Sequence, residues 1–170
     1  EKNKYDKSND KGDSTVVRYS SGDNLQYWFR GVEKFAPWVN KIHFVTWGHL
    51  PPWLDTSNPK LHIVNHKDYI PKEYLPTFNA NTIELNLHRI EGLAEKFVYF
   101  NDDMFVTNYV KPEDFFKKGL PRDVFALNCI YFGKKSAGFF NGNDMELINI
   151  HFKKKEAMKK NFWKWFSPVN

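Results

Sequence analysis

The sequence predicts an α/β fold, a single domain with a largely parallel sheet flanked by helices and a helical C-terminal segment. Amphipathic helical stretches alternate with short apolar runs, the order typical of strand–helix–strand units. One run, Phe97–Phe100, is unbroken, as expected for a strand buried on both faces of a parallel sheet. Sixteen Phe, eight Tyr and six Trp among 170 residues argue against a disordered chain.

The first predicted helix begins near Leu25 and ends at Ala36. Its apolar stripe follows a 3.6-residue period and consists of Leu25, Trp28, Phe29, Val32 and Phe35 or Ala36. Asp23 is the expected N-cap, with Gln26 three residues later as its capping-box partner. Pro37 disfavours helical geometry for the residue before it and therefore predicts the end of the helix.

Three strands and two further helices complete the prediction. Ile42–Thr46, Leu61–Val64 and Phe97–Phe100 are the expected strands. A helix from about Asn79 to Arg89 separates the last two strands, and its apolar stripe is Ile83, Leu87 and Ile90. Beyond Pro112 the only clear pattern is a helical stretch at about residues 143–160.

The ends of the chain and its single cysteine indicate the cellular compartment. Residues 1–15 are polar and lack apolar periodicity, so we expect a mobile lead-in before a domain at residues 16–170. The first residues show no signal peptide, and no run approaches the roughly 20 apolar residues that span a bilayer. A single cysteine, Cys129, excludes an internal disulfide framework and a cysteine-based zinc cluster. We therefore expect a cytoplasmic protein, with the inner face of the membrane as an alternative within that compartment.

The net charge of +5 is concentrated in one block. Residues Lys153–Lys160 carry five Lys and one Glu, and the aromatic segment Asn161–Phe166 follows. One interpretation is a solvated helix face with packing aromatics. The other is a surface that contacts anionic lipid or a polyanionic glycan, with Trp at the interface. The block is local and no nucleic-acid-binding motif accompanies it, so no nucleic-acid partner is predicted.

An acidic segment follows the predicted third strand. In open parallel sheets, ligands bind beyond the carboxyl ends of the strands, and Phe97–Phe100 leads directly to Asn101, Asp102 and Asp103. Carboxylates suit a hard divalent cation, so Asp102 and Asp103 are candidate ligands for Mg²⁺ or Mn²⁺ at a diphosphate. Adjacent side chains on an extended chain point in opposite directions, so one of the two aspartates is expected to bind ribose or orient a neighbour. Asn-Asp-Asp is also a common turn composition.

A second group of candidates lies on the second predicted helix. Glu84 and His88 are four residues apart, and Arg89 follows, which places them near one another beside the apolar stripe. They could supply a base and a phosphate clamp. The alternative is an ordinary surface salt bridge. Arg18 and Arg30 are further phosphate-binding candidates, with equally ordinary structural explanations.

Ordered sequence blocks between about residues 18 and 119 carry a family resemblance. The blocks are Val32–Val39, Ile42–Thr46, Pro51–Leu54, Leu75–Asn79, Ile83-Glu84, Leu87–Ile90, Gly92-Leu93, Phe97–Phe105, Pro112 and Asp114–Phe116. Together they resemble the second conserved region of the Stealth family of sugar-1-phosphate transferases. Leu147–Asn149, Phe152 and Asn161-Phe162 resemble the start of the third region in the bacterial branch.

The resemblance implies a reaction and site residues. The family transfers hexose-1-phosphate from a nucleotide-hexose, usually a UDP-sugar, to a hydroxyl of a glycan in capsule or cell-surface polysaccharide synthesis, and UMP leaves. Glu84 and Asp103 match its active-site residues, while Asn101, Asp102, His88 and Arg89 match other motif positions. We expect Asp103, with Asp102, to handle the diphosphate and any Mg²⁺, and Arg89 to neutralise charge on the transferred phosphoryl group. Glu84 is expected to position or deprotonate the acceptor, or to orient His88.

The sequence departs from the family pattern in two places. Nothing in Glu1–Val17 matches the family's Val-Tyr-Thr-Trp-Val-Asp-Gly-like first region, and the later part of the third region and the fourth region have no counterpart. We therefore expect an incomplete enzyme and, if these residues are the whole polypeptide, a folded domain with weak or no activity. A chain cut from a longer protein and a decayed gene product would each explain the departures. Two other functions stay open: a nucleotide-sugar glycosyltransferase that releases UDP, and a non-catalytic glycan- or membrane-binding fragment that uses the segment Lys153–Phe166.

Overall fold

The computed structural model describes residues 24–123 and 138–165, which belong to two compact units, Glu1–Phe116 and Lys117–Asn170. The first unit contains α1 (Leu25–Phe35), β1 (Ile42–Thr46), β2 (Leu61–Asn65), α2 (His66–Tyr69), a 3₁₀ turn (Lys72–Tyr74), α3 (Ala80–Leu85), a 3₁₀ turn (Leu87–Arg89) and α4 (Pro112–Phe115). A two-residue strand pair, β3 (Phe116–Lys117) with β4 (Leu120–Pro121), follows. The second unit contains the helices α5 (Gly138–His151), α6 (Lys154–Lys160) and α7 (Phe162–Trp165).

The helix α1 confirms the predicted amphipathic stretch, but its N-cap differs. Asn24 holds the cap position, and its carbonyl accepts hydrogen bonds from the N–H groups of Tyr27 and Trp28 at 3.0 and 3.3 Å. The predicted cap at Asp23 is therefore one residue too early, and Asp23 itself lies outside the described residues. The helix ends at Phe35, before Ala36 and Pro37, as the proline predicts.

The two strands β1 and β2 pair in parallel, which confirms both predicted strands. Their register runs from Ile42 opposite Leu61 to Thr46 opposite Asn65. Successive side chains point to opposite faces. Phe44 on one face packs against Phe29 of α1, with ring centroids 5.9 Å apart.

The opposite face of the strand pair carries the hydrophobic core. Its buried residues are Val64, Tyr69, Ile70, Leu87 and Ile90, and Val45, Leu75, Ile83 and Leu93 pack against them. The Tyr69 hydroxyl donates a hydrogen bond to the Ile83 carbonyl at 3.4 Å. This contact and the buried Leu87 hold α3 and the 3₁₀ turn after it against the sheet.

The register also brings two histidines together. His43 and His62 are cross-strand partners, and their Nδ1 atoms are 2.9 Å apart. A hydrogen bond between two imidazole nitrogens needs one ring to accept and therefore to be neutral. Burial, and then the positive charges of His62 and Lys41, lower the pKa of His43.

The second predicted helix is interrupted, which corrects the prediction of one helix over residues 79–89. Asn79 caps α3 by accepting a hydrogen bond from the Asn81 N–H at 3.0 Å. The helix stops at Leu85 because the buried Asn86 turns its own side chain back, and its Nδ2 donates to the Thr82 carbonyl at 2.8 Å. That carbonyl would accept from the Asn86 backbone N–H in a continuing α-helix.

The predicted third strand, Phe97–Phe100, is wrong. The segment is not in a strand, and Phe97, Val98 and Tyr99 are 43%, 39% and 47% exposed. An unbroken apolar run becomes a buried strand only where neighbouring strands pair with it, and no described residue does so. The parallel sheet of the described residues therefore has two strands rather than three.

The C-terminal stretch is helical as predicted but divides into two helices. The helix α5 ends at His151 and α6 begins at Lys154, so Phe152 and Lys153 form the break. Among the residues that the structure describes, no helix is both long and apolar enough to cross a membrane.

A close approach ties α1 to the segment that follows the acidic residues. The Val110 N–H donates to the Phe35 carbonyl at 3.0 Å, and the Trp38 indole N–H donates to the Val110 carbonyl at 2.8 Å. A Cβ at Gly31 would lie 2.8 Å from the Val106 carbonyl oxygen. Any residue larger than glycine at position 31 would therefore clash with the Val106 carbonyl.

We expect Gly31→Ala to destabilise the chain by about 1–3 kcal/mol, because the new methyl group overpacks against fixed backbone. A Gly to Ala change inside a helix usually stabilises a protein instead, because the helix propensity of Ala exceeds that of Gly by about 1 kcal/mol. Urea denaturation followed by circular dichroism measures the difference. Glu33→Ala, an exposed position of the same helix, is the control and should change stability little. A Gly31→Ala chain as stable as the parent would show that the helix and the segment can move apart at no cost.

Candidate functional site

The Tyr99 hydroxyl joins two parts of the chain that the sequence separates. It lies 3.2 Å from Oε1 of Glu84 on α3 and 2.5 Å from Oδ1 of Asn101. A phenol carries one proton, so it donates to one of these oxygens at a time. The contact places Glu84 beside the start of the acidic segment, which the sequence did not predict.

The acidic segment is an exposed turn. Asn101, Asp102 and Asp103 are all exposed, and the Asn101 carbonyl accepts a hydrogen bond from the Met104 N–H at 3.2 Å. Burial, followed by the negative charges of Glu84, Asp102 and Asp103, raises the pKa of Tyr99 to about 12. The hydroxyl is therefore protonated, and able to donate a hydrogen bond, throughout the neutral range.

Two exposed carboxylates of the acidic turn are the metal-ligand candidates of the sequence. Within residues 24–123 and 138–165, no group of three or more His, Cys, Asp and Glu side chains is placed to hold a metal ion. Asp102 and Asp103 could supply one or two carboxylate ligands. Mg²⁺ is commonly bound in this way, through one or two carboxylates, waters and the phosphates of a substrate.

The other predicted site residues make no described contact with this cluster. His88 and Arg89 are exposed in the 3₁₀ turn after the helix break, and His88 Nδ1 lies 2.8 Å from the Leu85 carbonyl oxygen. In the described part of the chain, no hydrogen bond or ion pair joins either residue to Glu84 or the acidic turn. Arg30 lies on α1, with its guanidinium 5.9 Å from the centroid of the Tyr27 ring. Arg18 lies outside the described residues.

Tyr99 is the site residue that the sequence analysis missed. The sequence pattern places it inside a buried strand, where a tyrosine has an ordinary packing role. Its position two residues before Asn101 carried a signal, because residues two apart on an extended chain lie on the same side. The partner on α3 is 15 positions away and has no local signal.

The alkaline titration of Tyr99 tests this cluster. A tyrosine with a pKa raised from about 10 in the unfolded chain to about 12 in the folded one contributes stability below pH 10, and this contribution is lost as the pH rises through 12. We expect Tyr99→Phe to remove one late step from the absorbance titration at 295 nm. Glu84→Gln should lower the pKa of Tyr99, because it removes a negative charge, while Glu91→Gln, an exposed position outside the cluster, should not. Ionisation of Tyr99 near pH 10 would contradict the arrangement.

Comparison with known proteins places the chain in a family. Residues 18–123 match the family description "Stealth protein CR2, conserved region 2". The chain is 51% identical over 154 residues to a capsular polysaccharide phosphotransferase WcwK of Streptococcus pneumoniae, covering 89% of this chain and 46% of the relative. It is 51% identical over 148 residues to the receptor polysaccharide phosphotransferase WefC of Streptococcus gordonii, covering 86% and 44%. It is 43% identical over 171 residues to the capsular polysaccharide phosphotransferase CpsJ of Streptococcus thermophilus, covering 98% and 71%.

The family match includes every residue of the Tyr99 cluster. Glu84, Tyr99 and Asp103 all lie inside the matched range 18–123. The chain spans less than half the length of the first relatives that it matches. The family match covers more than half of the chain, and the chain belongs to the Stealth family.

Proposed function

We propose that this chain carries the acidic part of the active site of a sugar-1-phosphate transferase in capsule or cell-surface polysaccharide synthesis. The substrates would be a nucleotide-hexose, most simply a UDP-hexose, and a hydroxyl of a glycan. The observation that carries the proposal is the Tyr99 hydroxyl between Glu84 and Asn101. It brings Glu84 and the turn that contains Asp103, the two positions that match the family's active-site residues, to one place. The names of the streptococcal relatives support the same class of reaction.

The proposed reaction is one displacement at phosphorus. The acceptor hydroxyl oxygen forms a bond to the phosphorus that carries the hexose, and the bond from that phosphorus to the bridging oxygen breaks. UMP leaves with the bridging oxygen and the electron pair of the broken bond. A phosphodiester remains between the hexose and the acceptor. Glu84 would take the proton of the acceptor hydroxyl, the task of a general base.

The other residues of the cluster would bind the metal ion and the donor and would orient Glu84. Asp102 and Asp103 would bind Mg²⁺ or Mn²⁺, which would neutralise charge on the diphosphate. Tyr99 would hold the Glu84 carboxylate in one orientation by donating a hydrogen bond to it. The raised pKa of Tyr99 keeps the hydroxyl protonated for this role. Asn101 would bind the donor, and the exposed Arg89 and His88 remain proposed phosphate ligands that would approach when substrate binds.

The nucleotide product tests the proposal. The chain is incubated with UDP-hexose, Mg²⁺ and a streptococcal capsular oligosaccharide, and the nucleotides are separated by chromatography. We expect slow release of UMP, in keeping with the incomplete family pattern, and a further fall in rate of about 100-fold or more in Glu84→Gln and Asp103→Asn, because each change removes a group that acts on the reacting atoms. Glu91→Gln is the matched control and should retain the parent rate.

Two outcomes would contradict the proposal. Release of UDP would assign the chain to the glycosyltransferases, whose acidic metal site can follow a strand in the same way. If no nucleotide product forms and calorimetry detects no binding of UDP-hexose or UMP with Mg²⁺, this chain does not hold the donor site.

A second candidate function is supported by the C-terminal helices. The exposed helix α6 belongs to the block of five Lys, and Phe152, Phe162 and Trp163 around it are 68%, 52% and 84% exposed. Exposed aromatic residues beside a lysine cluster suit the interface of an anionic bilayer. We propose that this unit contacts the membrane surface peripherally, which would place the protein at the inner face of the membrane.

Vesicle binding tests this second candidate. Each lysine near an anionic surface contributes about 1 kcal/mol, so Lys159→Gln with Lys160→Gln should weaken binding to phosphatidylglycerol vesicles by about 25-fold. Trp163→Ala should also weaken it. Lys67→Gln with Lys72→Gln, two exposed lysines of the first unit, is the control. Equal binding to phosphatidylglycerol and phosphatidylcholine vesicles would eliminate the idea.

A further inference from the structure

A shallow groove runs along the exposed side of α1. It encloses about 430 Å³, within the size range of small-molecule sites. Its lining residues are Tyr27, Arg30, Gly31, Lys34 and Phe35 on the helix, and Phe105, Val106 and Thr107 on the facing segment. Gly31 allows the two walls to approach, since a Cβ there would meet the Val106 carbonyl oxygen. The absence of a side chain at Gly31 therefore lets the facing segment pack directly against α1.

The groove is basic and aromatic. Arg30 and Lys34 are four residues apart, so they lie on the same side of the helix, with Cβ atoms roughly 6 Å apart. The Arg30 guanidinium lies 5.9 Å from the Tyr27 ring centroid, and Lys34 Nζ lies 5.1 Å from that of Phe35. No acidic residue lines the groove, and no ion pair within the described ranges involves either cation. Both cations are exposed and, among the described residues, neither is neutralised by a carboxylate.

The groove begins where the acidic turn ends. Phe100, just before the turn, packs against Trp28 of α1, with ring centroids 6.0 Å apart. Asp103 is two residues before Phe105, a span of at most about 7 Å. The segment then follows the helix in the same direction, and Val110 bonds to the Phe35 carbonyl. A chain-like ligand in the groove would therefore have one end beside Asp103.

We propose that this groove binds the acceptor, a glycan chain that carries phosphodiesters. Arg30 and Lys34 bind the phosphodiester oxygens through charge-assisted hydrogen bonds, and the exposed faces of Tyr27 and Phe105 stack on sugar rings. The inference rests on the proposed function, because each transfer creates a phosphodiester with one negative charge, and a growing polymer is then a polyanion. The donor diphosphate belongs to the acidic turn in that proposal, which leaves the groove to the acceptor.

Two synthetic disaccharides distinguish binding through the phosphodiester charge from binding through the sugar rings. The first is a disaccharide whose two hexoses are joined by a phosphodiester, and the second joins the same hexoses by a glycosidic bond. Calorimetric titration of the chain should show tighter binding of the first probe. Arg30→Gln and Lys34→Gln should each weaken its binding by about tenfold, because each removes a hydrogen bond to a charged group. Lys72→Gln is the control and should bind like the parent.

The aromatic residues give an independent test. Tyr27→Ala should weaken both probes several-fold, because it removes a surface that contacts sugar rather than charge. Thermal unfolding of each variant confirms that the exposed substitutions leave the fold intact. Equal binding of the two probes, no binding of either, or parent-like binding by the Arg30→Gln, Lys34→Gln double variant would each overturn the inference. Equally tight binding of a short single-stranded oligonucleotide would overturn the assignment to glycan.

The nucleotide assay distinguishes the failure of this inference from the failure of the proposed function. If the chain releases UDP, or no nucleotide, while the phosphodiester probe still depends on Arg30 and Lys34, the groove stands as an anionic-glycan site and the transfer reaction fails. If UMP is released and the KM for a phosphodiester-containing acceptor is unchanged in the double variant, the transfer stands and the groove inference fails.

Discussion

The parallel pairing of β1 with β2 determines where the rest of the first unit lies. Its register gives the strand pair two faces. Phe44 on one face packs against α1, and Val64 on the other packs with Tyr69, Leu87 and Ile90. The helix α1 fixes the segment after the acidic turn through the Phe35–Val110 hydrogen bond, while the core fixes α3 and therefore Glu84. The Tyr99 hydroxyl closes this arrangement by joining the α3 side to the turn.

Elements defined by local periodicity could be predicted from the sequence, and elements defined by distant partners could not. The amphipathic stripe of α1 and the two short runs of β1 and β2 are present at the predicted positions. The run Phe97–Phe100 has the composition of a buried strand, but that structure depends on neighbours that composition does not specify. The end of α3 depends on a single side chain, since Asn86 bonds back to Thr82, and asparagine is tolerated often enough inside helices to give no clear stop signal.

The same limit applies to the candidate site. Local pattern makes Glu84 and Asp103 candidates and the family resemblance implies that they are active-site residues, but neither gives their spatial relation. Their connection through Tyr99 is a tertiary contact. Arg30 was a candidate on charge alone, and nothing local predicted that it would share a groove with Lys34 and Phe105. His88 was paired with Glu84 on the assumption of a continuous helix, and the break at Asn86 removes that assumption.

The apolar Phe97–Phe100 segment also affects the tendency of the chain to self-associate. Its four residues are apolar, three of them are exposed, and no backbone hydrogen bond joins them to other described residues. Backbone groups without partners can pair with those of a second copy. The net charge of +5 opposes that encounter by repulsion between chains, which salt screens over a Debye length of about 10 Å at 0.1 M. Concentrated, high-salt samples would therefore lose monomer to self-association, and dilute, low-salt samples would keep the acidic turn beside this segment accessible.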